Sequence, residues 1–331
     1  MSAAPITAAS EALQVEGLTT SIRIAGHWFD AVRDVSFTVR QRETLALVGE
    51  SGCGKSLTAL SIMGLLPGAV GRVSKGRIVV DGVDMTAATE AKREAMRGDR
   101  IGMIFQEPMT SLNPVLPIGF QIAEGLMQHR GMSKDAARKR AVQLMELVRI
   151  PSAADRLDAY PHQFSGGMRQ RVMIAMALAC SPRVLIADEP TTALDVTIQA
   201  QVLALLADLQ KQEGLAVLLI THNLGVVASV ADRVMVMYGG DVVESAPMRA
   251  FFQAPTHPYS EALLAAMPRV DRASKLAPIP GQVPTLPDMP AGCRYQSRCP
   301  LRIAKCAERP PLTPLGGDPE HGVRCWVRAG A

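Results

Sequence analysis

The chain has 331 residues, of which 48% are hydrophobic and only 4% aromatic, with a net charge of +4. That length holds one large or two modest domains with a sizeable core, and richness in Ala, Val, Leu, Ile and Met with few aromatics suits helices and buried parallel strands better than a β-sandwich. The mild, scattered positive charge argues against a nucleic-acid partner, and the opening MSAAPITAAS lacks the basic and apolar regions of a secretory signal, which predicts a cytosolic chain.

Along the chain, Leu13 to Val39 alternates short β-like runs, LQVEGLTT and VRDVSFTV, about a polar hairpin at Ile24 to Asp30, and reads as an antiparallel edge sheet. In ETLALVGESGCGKSLTALSIMGLL an apolar strand, Leu45 to Val48, runs into a Gly-rich turn and then an amphipathic helix, which makes a first βα unit. From Pro114 to about Ala179 helical periodicity prevails, as in DAARKRAVQLMELVRI, and predicts a helical insertion. RVLIADEP and LAVLLITHN, on either side of a helical stretch at Ile198 to Gln212, rebuild a parallel sheet. RVMVMY and DVVES form a last strand pair hinged at Gly239 and Gly240. The Pro-rich run Pro278 to Pro290 reads as an extended connector before a Cys-rich tail. The most apolar segments, Val172 to Cys180 and Ala216 to Ile220, fall far short of the roughly 20 residues of a membrane span. No motif occurs twice, so the expectation is one α/β unit per chain.

Three segments carry chemistry. Gly49, Glu50, Ser51, Gly52, Cys53, Gly54, Lys55 and Ser56 match G-x-x-x-x-G-K-S between a strand and a helix. Backbone N–H groups of such a loop wrap phosphate oxygens, Lys55 would contact the β- and γ-phosphates, and Ser56 would offer its hydroxyl to Mg2+. VLIADEP sets two carboxylates at the end of an apolar strand. Asp188 would hold Mg2+ through its water shell and Glu189 would polarise an attacking water, unless the pair is an exposed turn. In FSGGMRQR, Ser165, Gly166 and Gly167 form an anion-friendly helix start that is also an ordinary N-cap.

The FSGGMRQR segment, about 20 residues before VLIADEP, resembles the signature motif of ABC ATPases, usually written LSGGQ. The rest of that set follows in order. Gln106 in MIFQEP resembles the Q-loop glutamine, Ala193 to Asp195 in TALD the D-loop, and His222 in LITHN the switch histidine. The resemblance covers about Leu13 to Tyr238 and implies a P-loop NTPase with a RecA-like parallel core, an antiparallel edge subdomain and a helical signature subdomain at about 114–180. It implies ATP hydrolysis by Glu189 and His222, Mg2+ held by Ser56, Gln106 and Asp188, and transmission through Gln106 to membrane subunits. It also implies head-to-tail pairing, in which Ser165, Gly166 and Gly167 serve the partner's ATP, and makes Asp195 of the D-loop an ATP-binding residue. The resemblance implies an aromatic about 25 positions before the loop that stacks on adenine; Ile22 occupies one plausible alignment, while Trp28 and Phe29 lie in the hairpin, where either one stacks on adenine or both pack the hairpin.

Cys293, Cys299, Cys306 and Cys325 are separated by five, six and eighteen residues. That spacing suits a metal or cluster site, without the close pairs usual for zinc, or buried thiols. With the Q-loop region FQEPMTSLNP, the HPYSEALL segment and the Pro-rich linker, the chain resembles ATPase subunits of bacterial dipeptide and oligopeptide importers. The M-R-Q-R form is similar to the "D" rather than the "F" partner. This resemblance implies a cassette at 1–255 and an extension at 256–331, with linker 278–290 and a [4Fe-4S] cluster on the four cysteines between 293 and 325. It implies a second, F-type ATPase, two permease subunits, a periplasmic or lipid-anchored binding protein, and a place at the cytoplasmic face of the inner membrane. Nickel, glutathione and peptide-antibiotic importers use closely similar ATPases. A soluble ABC ATPase would instead carry two cassettes or a long coiled-coil insertion.

Overall fold

A computed structural model describes residues 11–107, 111–192, 194–267 and 278–329. MSAAPITAAS and Ala193 of the expected D-loop lie outside these residues.

In chain order the strands are β1 (Glu11–Ile24), β2 (His27–Arg40), β3 (Thr44–Val48), β4 (Gly71–Val80), β5 (Val83–Asp84), β6 (Ile101–Ile104), β7 (Val184–Asp188), β8 (Ala216–Thr221), β9 (Arg233–Tyr238), β10 (Asp241–Pro247), β11 (Thr313–Leu315) and β12 (Asp318–Val323). They build two sheets. One is antiparallel, in the order β2-β1-β4-β5. The other runs β11-β12-β10-β9-β3-β8-β7-β6, parallel from β9 to β6 and antiparallel beyond.

The parallel strands read as continuous apolar runs because both faces are covered. Alternation then sorts their side chains. Leu45, Leu47, Val184, Ile186, Leu218 and Ile220 face a core shared with the antiparallel sheet. Leu185, Ala187, Val217 and Leu219 face the helical insertion. That insertion holds the helices Ile118–Arg130, Lys134–Leu147 and Gly166–Leu178, and it contains no strand among its described residues, as the periodicity predicts.

Three parts of the architecture differ from the sequence expectation. β4 and β5 complete the edge sheet, although Gly71, Gly76 and the charges between them blur the alternation in GRVSKGRIVV. β6 is four residues of the parallel sheet, too short to show a period. The third lies in the tail, whose hairpin β11–β12 extends the main sheet through Glu244↔Val323 and Ser245↔Gly322. The sheet therefore does not end before residue 256.

Beneath this edge a third core gathers Tyr238, Tyr259 and Tyr295, whose ring centroids lie 4.7, 5.0 and 5.3 Å apart. Glu244, fully buried beside it, accepts from Thr256 N (2.9 Å) and His257 N (2.8 Å) and sits 3.2 Å from His321 Nε2. Such pairing satisfies the carboxylate that burial would otherwise penalise.

His257 caps the helix Pro258–Ala265 by accepting the Tyr259 N–H at Nδ1 (3.0 Å), so its imidazole is neutral. Burial pulls its pKa from 6.5 to about 3. The unfolded chain takes up a proton below pH 6.5 and the folded chain does not. This contribution to stability is therefore whole above pH 6.5 and is lost progressively as pH falls toward 3. Denaturant unfolding should lose about 2 kcal/mol between pH 7 and pH 5 from this group. His257→Asn, which keeps a capping acceptor but does not titrate, should remove that part of the slope.

Candidate nucleotide site

β3 ends at Val48 in the middle of the main sheet, and the chain turns at once into the loop Gly49–Gly54 and the helix Lys55–Met63. Gly54 occupies the N-cap with φ 107°, and no side chain caps this helix, so its first N–H groups are free to face an anion. Lys55 is 5% exposed, and its Nζ donates to Gly49 O (2.9 Å) and Glu50 O (3.0 Å). Burial raises the pKa of the Cys53 thiol, with Lys55 opposing it, so this cysteine packs as a neutral group.

Asp188 closes β7 and is 4% exposed. Burial raises its pKa, a hydrogen bond from the Ser56 hydroxyl lowers it, and the charge of Glu189 raises it again. Its Oδ1 is buried with no hydrogen-bond partner. A buried oxygen without a donor, beside a serine hydroxyl at the end of a phosphate-type loop, is a donor set that fits Mg2+.

Glu189 follows in the left-handed region at φ 46°, held by its N–H to Ile220 O (2.8 Å) across to β8. Strain of this kind in a non-glycine residue persists only where the surroundings impose it. Its carboxylate receives three donors, namely Gln106 Nε2 (3.2 Å), Thr192 Oγ1 (2.8 Å) and His222 Nδ1 (3.1 Å). Burial works to raise the pKa of this carboxyl, but the hydrogen bonds from His222 and Thr192 outweigh it and hold it below the usual range. The group is thus an anion at neutral pH and accepts only. An anion that only accepts requires a proton on His222 Nδ1.

The structure brings Lys55, Ser56, Gln106, Asp188, Glu189 and His222 to one end of the parallel sheet. The signature residues lie elsewhere. Ser165 caps its own helix by accepting from Met168 N (3.3 Å), and a side-chain carbon on Gly166 or Gly167 would meet Leu194 (3.7 Å) or Ile198 (2.6 Å). Asp195 caps the helix Val196–Glu213 through Ile198 N (2.9 Å). Trp28 and Phe29 sit in β2, three and two residues before Ala31, whose carbonyl lies against Gly54. The Arg72 guanidinium covers the Trp28 ring at 4.2 Å.

Sequence reasoning passes over three residues. Thr192 on Glu189 is one, and the others, Tyr259 and Arg298, bind Glu50 from the tail: Tyr259 Oη accepts the Glu50 N–H (2.9 Å) and Arg298 pairs with its carboxylate (2.7 and 3.2 Å). Only Thr192, three residues from Glu189, had a local signal. The six cysteines are unbridged. Burial raises the pKa of the Cys293 thiol to about 11, with Cys306, Cys299 and Cys325 close enough to add to the rise. Among the described residues no group of three or more His, Cys, Asp or Glu is placed to hold a metal ion.

Residues 32–192 match the family described as ABC transporter, and residues 243–306 match the oligopeptide/dipeptide transporter C-terminal region. The dipeptide transport ATP-binding protein DppD of Bacillus subtilis is 50% identical over 96% of this chain and 94% of its own length. The oligopeptide transport ATP-binding protein AppD of the same organism is 50% identical over 96% and 97%. A putative peptide import ATP-binding protein of Brucella abortus is 51% identical over 95% and 96%. Among solved structures, a dimeric ATP-binding cassette in a post-hydrolysis state, bound to ADP and Pi, superposes with a TM-score of 0.64 at 27% identity, covering 72% of this chain and 99% of that one.

Proposed function

Since the chain belongs to the ABC transporter family as an ATP-binding subunit of peptide importers, we propose that it hydrolyses MgATP at the site built on Gly49–Ser56, Asp188 and Glu189. The observation that carries this is the Glu189 carboxylate, anionic, strained and fixed by three donors beside the buried Asp188 and Lys55. A carboxylate so held is oriented to accept a proton from water attacking the γ-phosphate. Lys55, now spanning two loop carbonyls, is within the loop that would cradle the β- and γ-phosphates. Mg2+ would be held by Ser56 and Asp188, with Gln106 nearby, and would supply charge neutralisation on the phosphates.

His222 orients Glu189 through Nδ1, and Gln106 reaches the same carboxylate from the segment after β6. A γ-phosphate that displaces Gln106 would move that segment, which carries the exposed Phe105 beside Met103, Leu65 and Met176. Such an apolar surface suits a permease subunit. That Ser165 caps its own helix and that Gly166 and Gly167 pack toward Leu194 and Ile198, rather than toward their own phosphate loop, supports pairing. These signature residues would complete the ATP site of a second, F-type ATPase, at the cytoplasmic face of the inner membrane, with a binding protein delivering substrate. No described helix is long and apolar enough to cross a membrane. Adenine would stack on Trp28 or Phe29.

In this reading the cassette is 1–255 and the extension 256–331, and Cys293, Cys299, Cys306 and Cys325 hold a [4Fe-4S] cluster. Four thiols near one another support the cluster. Their described arrangement does not gather three of them at ligand spacing, and no step of ATP hydrolysis passes through them. Anaerobic purification should give iron and sulfide at about four per chain, and zinc alone would defeat the cluster. The function itself is tested by reconstituting the chain with its permease and ATPase partners. ATP-dependent peptide uptake that Lys55→Ala abolishes is expected, and peptide uptake that persists with Lys55→Ala would overturn it.

A further inference from the structure

Glu50 is the variable second residue of the phosphate loop, yet each of its polar groups is engaged. Its N–H donates to Tyr259 Oη (2.9 Å), its carbonyl accepts from Lys55 Nζ (3.0 Å), and its carboxylate takes both arms of Arg298 (2.7 and 3.2 Å). Arg298 has a side chain only 4% exposed and is itself anchored by donating to Pro280 O (2.8 Å), while its guanidinium lies 5.7 Å over the Tyr238 ring. Tyr259 is fully buried among Tyr238 and Tyr295. Rigid donors and acceptors of this kind, placed on a packed core, fix the direction of whatever they bind.

We propose that Arg298 and Tyr259 are positioning residues for ATP binding, gripping Glu50 from outside the loop and thereby setting Lys55. This rests on the phosphate-loop reading above. Glu50 and Arg298 are 248 residues apart, and Tyr259 is 209 from Glu50, so the loop is held by the C-terminal segment rather than by its own strand and helix alone. With the Glu50 N–H turned to Tyr259, this amide is directed to the tail, and the remaining loop amides and Lys55 are left to the phosphates. Lys55 shares Glu50 O, so a tilt of that peptide moves the ammonium. The chemistry at Glu189 is fed by other elements and is not touched by the grip.

Arg298→Ala and Glu50→Gln in the full chain should weaken MgATP binding about tenfold. In the assembled importer they should raise the ATP KM to the same degree with kcat within about twofold. Because both act on one contact, the double variant should be no worse than either alone, whereas independent effects would add. Arg298→Lys, which keeps the charge but loses the fork, should recover part of the loss. Tyr259→Phe should weaken binding in the same sense.

An ATP KM within twofold of the parent for Arg298→Ala, or a fall in kcat alone, would overturn the proposal. Should Arg298→Ala lose its cooperative thermal transition, Arg298→Lys and Tyr259→Phe decide by the same criterion. A parent chain that fails to bind MgATP would overturn the phosphate-loop reading itself. A parent that binds while every variant binds equally would overturn only the grip.

Discussion

Glu189→Gln is expected to leave ATP binding within about twofold while slowing hydrolysis a hundredfold or more, in the range set by loss of a general base. The substitution keeps the size and shape of the side chain and removes its charge. In the parent, Gln106, Thr192 and His222 all donate to this carboxylate, and His222 and Thr192 hold its pKa below the usual range against burial. An amide cannot accept a proton from the attacking water. It also presents an NH2 to at least one of three donors, which misorients the site. Lys55 is held by the carbonyls of Gly49 and Glu50 and makes no hydrogen bond to Glu189, so the loop keeps its form and affinity is retained. The measurement is single-turnover hydrolysis beside nucleotide binding in the assembled importer. Undiminished turnover would remove Glu189 from the role of water-polarising residue.

The pH sign follows from the same group. Since its folded pKa is depressed, its ionised form is present at neutral pH, and turnover that depends on it falls only as pH drops below the ordinary carboxylate range.

Gly49→Ala should abolish nucleotide binding, while Gly52→Ala in the same loop should weaken it far less. A Cβ on Gly49 would stand 2.2 Å from Met237 O and 2.8 Å from Cys53 Sγ. Met237 lies in β9 beside β3 and is fully buried, so the carbonyl cannot retreat without displacing a central strand. Either the loop or the sheet must move. At Gly52 a Cβ meets nothing within 4 Å, and the only cost is φ 76°, about 1 kcal/mol for a non-glycine residue. Nucleotide binding and thermal unfolding of the two variants separate the terms. Equal effects would mean that backbone angle, and not contact with β9, dominates.

The match between pattern and structure is uneven for physical reasons. Gly49–Ser56 and Val184–Glu189 were legible because their chemistry lies on consecutive residues between a strand and a helix, or at a strand end. The parallel strands were legible where five or six apolar residues ran together, as in β7 and β8. β6, at four residues, and β4, diluted by glycine and charge, were not. Ser165 and Asp195 illustrate a further limit. Each is an N-cap in the folded chain, and a cap and a phosphate ligand look the same in one sequence.

By itself the sequence determined that GESGCGKS, FSGGMRQR, VLIADEP and LITHN occur once and in that order, because each is a short run of consecutive residues. Only the tertiary structure decided that Gln106, 83 residues from Glu189, and His222, 33 residues from it, share one carboxylate. It alone decided that the tail adds β11 and β12 to the main sheet and ties Arg298 to Glu50 across 248 residues. Such contacts depend on the whole core closing, since the entropy of bringing distant segments together is offset by packing that no short window of sequence contains.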